Sequence, residues 1–193
     1  EIRKLNEDLE KRVQERTAEL QKLSEAVEQS PVTVVITDKN GNIEYVNPRF
    51  SESTGYNANE VIGQTPRILK SGEYSESFYK DLWDTILSGK TWRGEFLNRK
   101  KSGEEFWEST SISPIKNENG EIIHFVSVKE NITDQKIIRE TLRESEERFR
   151  AFMDNIPAVA YIKDESGKHV YGNQALFDNF EISSEKFIET TTK

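Results

Sequence analysis

Few side chains in this sequence have the type and spacing that chemistry requires. There is no cysteine, which removes disulfides, thiolate metal sites, cysteine nucleophiles and any cysteinyl photoadduct. The two histidines, His124 and His169, are too far apart in the chain to give a metal-ligand spacing. Glu104 and Glu105 are neighbours in an expected strand and face opposite ways, so they do not form an acid/base pair. No glycine-rich phosphate loop and no grouping of Ser, His and acid is present, and catalysis by this chain is not expected. What remains is a binding constellation. In the run from Trp92, the residues Trp92, Gly94, Phe96 and Asn98 alternate with Arg93, Glu95, Leu97 and Arg99, and the first set reads as the inner face of a strand. That face carries one amide among aromatics. A buried amide needs hydrogen-bond partners. Asn98 either finds backbone or water beside a turn, or meets a ligand edge that offers both a donor and an acceptor. Trp92 is either part of that contact or ordinary core. Gly94 either lets a flat ring approach the sheet or marks a bulge.

The elements that must position these residues follow from periodicity. Val32 to Thr37 and Ile43 to Val46 are expected strands joined by an Asp38-Lys39-Asn40-Gly41 turn. Asn47 and Pro48 start a short helix ended by Gly55, and Asn57 to Glu60 resembles a capping box for another, closed by Gly63. Ser75 opens the longest internal helix, with Phe78, Leu82 and Ile86 on one stripe and Gly89 as its stop. Trp92 to Asn98, Glu104 to Ile115 and Ile122 to Glu130 complete the set as three antiparallel strands. Two strands, several helices and three strands make an α+β pattern, with helices covering one face of a single sheet.

Two mixed-charge stretches flank this region. Residues 1–24 hold six basic and six acidic side chains and residues 133–150 hold five of each, so the net charge of −8 lies entirely outside them. Such balanced, glycine-free and proline-free runs read as solvated helices. In the first, Asn6, Val13, Leu20 and Val27 take the a positions of a heptad register and Ile2, Leu9, Arg16 and Leu23 the d positions. In the second, Ile138, Leu142, Ser145, Phe149 and Phe152 alternate steps of four and three. Each is either an amphipathic helix on its own domain or, as six apolar positions in eight favour in the first, one strand of a parallel dimeric coiled coil. A homodimer through both helices is expected. The negative charge argues against unspecific nucleic-acid binding. No apolar run approaches the roughly 20 residues of a membrane span, so direct membrane contact of this stretch is not expected, and Glu1 to Leu9 is too charged for a signal peptide.

A shift of 126 residues superimposes Pro31 on Pro157, Asp38 on Asp164, Gly41 on Gly167, Tyr45 on Tyr171 and Asn47 on Asn173. Each copy contains strand, Asp-x-x-Gly turn, strand, and an Asn able to cap a helix. The expected organisation is a coiled-coil helix at 1–24, a complete domain at 25–132, a connecting helix at 133–150, and the N-terminal part of a second domain at 151–193.

This order, together with Thr37-Asp38-x-x-Gly41-x-Ile43-x-Tyr45-x-Asn47, Gly55-Tyr56-x-x-x-Glu60-x-Ile62-Gly63, Trp92-x-Gly94 and Asn131-Ile132-Thr133-Asp134, resembles the PAS sensor-domain family. The resemblance implies a five-stranded antiparallel sheet with helices enclosing a ligand pocket, upstream of an output domain that is most often a histidine kinase. The segment Gly63-Gln64-Thr65-Pro66-Arg67-Ile68-Leu69 is similar to the flavin-binding branch, both to LOV domains and to FAD-binding redox sensors of nitrogen-fixation regulators. Pro66 stands where LOV photochemistry needs Cys, and Glu108 and Lys129 stand where LOV domains carry amides, so the redox-sensor branch fits better. In that branch Trp92 and Asn98 correspond to ring contacts, although Pro66 replaces a nearby acidic residue. Phe96 and Gly94 accompany them on the strand, and Arg67 and Lys70, beside the pocket mouth in the family fold, are candidates for the flavin phosphates or else solvated loop charges. The expected cofactor is FAD; haem is disfavoured because the Ser75 to Ser88 helix has no His, and no metal is expected. The function this implies is a cytoplasmic sensory module whose redox state is relayed through dimeric helices to an output domain. The parent protein is expected to be a sensor histidine kinase, with membrane anchorage left open. The competing expectations are a cofactor-free dimerisation spacer, or a domain holding another small ligand, with a diguanylate cyclase as a further output.

Overall fold

The computed structural model describes residues 2–183, 186 and 187. Glu1 and residues 184, 185 and 188–193, at the two ends of the expected organisation, lie outside the described residues. The chain divides into two compact units, Glu1–Asp134 and Gln135–Lys193.

The first unit begins with α1 (Ile2–Glu28) and continues with β1 (Thr33–Asp38), β2 (Ile43–Val46), α2 (Pro48–Thr54) and α3 (Ala58–Val61). A single 3-10 turn at Pro66–Leu69 follows, then α4 (Glu76–Leu87), β3 (Trp92–Arg99), β4 (Glu105–Lys116) and β5 (Ile122–Asn131). The five strands form one antiparallel sheet in the order β2-β1-β5-β4-β3. The fold is therefore the expected α+β architecture, a five-stranded antiparallel sheet with flanking helices. Strand ends differ from the periodicity reading by a residue or so, because the ladder continues for as long as backbone pairing is available.

Parity along the strands sets the core. Val35, Ile43 and Val46 pack with Phe50 of α2, Val61 of α3 and Leu69 of the 3-10 turn. Leu82 and Ile86 of α4 pack with Trp92, Phe96 and Phe125. Each such side chain contributes roughly 1.5–3 kcal/mol by leaving water. Gly55 caps α2 in the left-handed conformation (φ 76°), donating its N–H to the Ser51 carbonyl. The capping box at Asn57 and Glu60 is present in both directions.

Asn47 departs from expectation. It occupies the N-cap position of α2, yet its side chain makes no cap bond. Its Oδ1 accepts from Val34 N (2.9 Å), and its Nδ2 donates to the carbonyls of Val32 (2.9 Å) and Val27 (3.2 Å). Chain reversal between α1 and β1 leaves those backbone groups without ladder partners, and a buried amide satisfies all three. Beside it, the Tyr45 hydroxyl donates to Glu28 Oε1 at 2.7 Å. Burial and the adjacent Glu28 push the phenol up to about 12.

The second unit contains most of α5 (Thr133–Asn155), the hairpin β6 (Tyr161–Lys163) and β7 (His169–Gly172), and α6 (Gln174–Phe180). Asn173 repeats the tie one copy later, accepting from Ala160 N and donating to Ala158 O and Met153 O, and it additionally caps α6 through Leu176 N. The 126-residue repeat thus extends from residue types to hydrogen bonds.

Candidate functional site: a polar-floored cavity on the sheet

Between α4, the 3-10 turn and the inner sheet face lies a cavity of about 940 Å³, within the size range of small-molecule sites. Trp83, Leu82, Ile86, Phe96, Ile112 and Phe125 supply its apolar wall. Asn98, Thr110, Ser127 and Lys129 line it from the strands, and Arg67, Lys70 and Lys80 from the turn and helix. The register puts Gly94, Thr110 and Lys129 opposite one another across β3, β4 and β5, and pairs Phe96 with Glu108 in the next row.

Asn98 is 7% exposed and donates from Nδ2 to Glu108 Oε2 at 2.7 Å. Lys129 Nζ donates to the same oxygen at 3.1 Å. The carboxylate is 1% exposed and the lysine 7%, so this is a buried ion pair with a shared amide. Removing either charge alone would strand the other, at a cost of about 3–5 kcal/mol. Next to this trio Thr110, also buried, has an Oγ1 with no hydrogen-bond partner. A buried hydroxyl in a cavity wall with no protein partner is open to a hydrogen bond from whatever occupies the cavity.

The structure brings four of the six expected site residues to this cavity: Asn98, Phe96, Arg67 and Lys70. Lys70 is placed by a backbone bridge to Asn98 and sets its ammonium 3.5 Å from the Tyr79 ring centroid, a cation–π contact. Burial, and secondarily Tyr74, pushes the Tyr79 phenol above its ordinary range. The segment leading to α4 is strapped to β3. Tyr74 OH donates to Glu95 O and accepts from Leu97 N, and Ser71 Oγ donates to Leu97 O at 2.6 Å.

Trp92 and Gly94 share the inner face as parity requires, but they do not line the cavity. The Trp92 indole packs against Phe78 and Phe96 and donates from Nε1 to Asp81 Oδ2 at 3.2 Å. A Cβ on Gly94 would come within 2.3 Å of that indole. The glycine therefore makes room for a neighbouring side chain on its own strand. Thr110 is absent from the residues singled out in the sequence, and Glu108 and Lys129 figure there only as replacements for amides of the LOV branch, not as a pair. The signal for them was available, since Phe106, Glu108, Thr110 and Ile112 share one face of β4, and Phe125, Ser127 and Lys129 one face of β5. Opposite charges on two inner faces call for each other.

Glu108 also sits next to the exit from the sheet. The backbone of Trp107 receives Ile132 N on its carbonyl and gives its own N–H to Thr133 Oγ1, both at 2.9 Å, while Asn131 Oδ1 accepts from Thr133 N. Residues 107 and 108 thus hold the start of α5 on one side and the floor of the cavity on the other. Among the described residues no group of three or more His, Cys, Asp or Glu side chains could hold a metal ion, and no helix is long and apolar enough to cross a membrane.

Comparison with known proteins bears on this arrangement. The chain is 32% identical over 149 residues to a nitrogen fixation regulatory protein of Klebsiella oxytoca, covering 77% of this chain and 30% of the relative. It is 33% identical over 147 residues to a blue-light-activated histidine kinase of Brucella anthropi, covering 71% and 30%. The chain thus spans about 30% of the length of these relatives. An RNA-binding light-oxygen-voltage receptor of known structure shares the fold, with a TM-score of 0.60 at 23% identity over 66% of this chain and 37% of that one. Residues 31–134, more than half of the chain, match the PAS domain family, and the chain belongs to that family.

Proposed function

We propose that this chain is a sensory module that binds a flavin, FAD, in the cavity of its complete domain, and that it relays the cofactor's redox state to an output domain of the same protein, a histidine kinase. The observation that carries the reading is the polar cluster at one end of an apolar cavity: the Asn98 amide and the unpartnered Thr110 hydroxyl. These groups match a heterocyclic edge that offers both donor and acceptor. Asn98, Thr110 and Lys129 would hold the polar edge of an isoalloxazine ring, Phe96, Leu82 and Ile86 its apolar body, and Arg67 and Lys70 the phosphate-bearing tail. When bound, a flavin supplies reversible electron acceptance, which no side chain of this protein has.

The relay rests on the protein's own residues. A ligand shifts a protein equilibrium only as far as its affinities for the two protein states differ. Bonds to Asn98 and Lys129 are shared with Glu108, and the adjacent Trp107 backbone holds Thr133 at the head of α5. A change in demand at the cavity floor thus reaches the exit helix through one strand of β4. The helices supply the bistable element, as parallel coiled coils in a homodimer. Ile2, Leu9, Val13, Leu20 and Leu23 of α1 are more than half exposed, as are Ile138, Leu142 and Phe152 of α5. Repeat and hydrogen-bond pattern support reading residues 25–132 as one complete domain and 151–193 as the opening of a second.

An absorption spectrum of the purified, undenatured chain tests the cofactor. Paired near-ultraviolet and blue bands that bleach with dithionite are expected. A correctly folded, colourless protein that takes up no added FAD removes the flavin.

A further inference from the structure

We propose that the polar end of the cavity is a charge-selective subsite in which Lys129 favours the more negatively charged form of a bound heteroaromatic; this rests on the flavin reading above. Lys129 and its counter-ion are not equivalent toward the cavity. The lysine lines it together with Asn98, Thr110 and Ser127, whereas Glu108 is absent from the lining and its Oε2 is covered by Asn98 Nδ2 and Lys129 Nζ. A ligand edge at this end meets the ammonium, the amide and the hydroxyl before it meets the carboxylate.

The hydrogen-bond count points the same way. An ammonium has three donors, and among the described residues Lys129 uses one of them, toward Glu108. Thr110 Oγ1 uses none. Its cross-strand partner is Lys129, so the unused hydroxyl and the unused ammonium protons belong to one row of the sheet. Spare donors on a cation suit an acceptor that gains negative charge, because charge-assisted hydrogen bonds are about twice as strong as neutral ones. For a flavin the two states differ by such a charge: two electrons from an external reductant and one proton from water leave the ring with one net negative charge and no other atom exchanged. A contacting cation stabilises that state over the neutral one. The glutamate offsets the cost of burying that ammonium.

The test is a reductive titration of the full chain loaded with FAD, using dithionite and reading the midpoint potential by absorbance. Three proteins are compared: the wild type, Glu108→Gln, and Glu108→Gln with Lys129→Met. The double variant removes both charges and so avoids stranding one of them. The preference for the reduced over the oxidised cofactor should rank Glu108→Gln above wild type above the double variant. The extremes should differ at least tenfold, about 30 mV for a two-electron couple. If Glu108→Gln fails to fold, wild type against the double variant decides, with wild type expected higher by at least threefold. Coloured proteins with equal potentials, or with the reverse order, overturn the role of Lys129 and leave the flavin reading standing. A wild-type protein that binds no FAD overturns both.

Discussion

Thr110→Val separates a hydroxyl that waits for a ligand from one that is merely buried. The two residues have nearly the same shape and both are β-branched, so strand geometry and χ1 preference are retained. Thr110 is 3% exposed, and its hydroxyl has no hydrogen-bond partner among the described residues. Burying an unpaired hydroxyl costs about 1–3 kcal/mol in protein contexts. The valine should therefore raise the stability of the flavin-free chain by about 1 kcal/mol, some 4 °C in melting temperature for a domain of this size. Binding should move the other way. A hydroxyl that bonds the ligand contributes about 0.5–1.5 kcal/mol, so the valine should weaken FAD about two- to twelve-fold. Thermal melts at several FAD concentrations read both quantities, since a ligand adds RT ln(1 + [L]/Kd) to the stability of the folded state. Opposite signs in the two measurements are the expected result. A valine variant that is less stable without FAD and binds it unchanged would refute the assignment of Thr110 to the site.

The remaining expectations concern the scaffold. Gly94→Ala should destabilise by about 1–3 kcal/mol, because its Cβ would come within 2.3 Å of the Trp92 indole. In a Trp92→Leu background that penalty should fall, and equal urea-measured penalties in the two backgrounds would show that the glycine serves something else. Asn47→Ala strips three hydrogen bonds from a side chain 1% exposed and should cost about 2–4 kcal/mol; a loss below 1 kcal/mol in urea would discount the tie between α1 and β1. Asp38 is held below its ordinary range by hydrogen bonds from the Asn42 side chain and backbone and then from Asn40, despite some opposing desolvation. Its folded pKa lies below its unfolded one, so its stabilisation is present above about pH 4 and is lost as pH falls through the lower folded value; Asp38→Asn should flatten that acid limb in pH-dependent melts. Finally, removal of residues 1–24 should weaken self-association in light scattering, and an unchanged mass would count against the heptad reading.

Much of this molecule can be read before any coordinates are seen, and the exceptions share one physical origin. Period-two alternation assigns each strand residue to a face, which is why Asn98 was placed inside, and a strong repeat carried the Asp-turn-strand unit to residues 164–173. Alternation says nothing about where along the strand a covering helix lies. Trp92 and Asn98 share a face but stand six residues apart, roughly 20 Å. At one end of β3 the Trp92 indole packs on Phe78 of α4, while Asn98 near the other end lines the cavity. The Glu108–Lys129 pair was hidden for a related reason. The inward parity of each is visible in sequence, but their meeting depends on the β4–β5 register, set by the turn at residues 117–120 and by the shift between Ile115 and Lys116. Asn47 illustrates the third case. An Asn before Pro at a helix start has the local pattern of a cap, but that pattern does not show the chain reversal before β1, which leaves three backbone groups for the Asn47 amide to satisfy. Local rules name the residue types a site will use, while the partners that those residues choose are decided by which polar groups the folded topology has left without one.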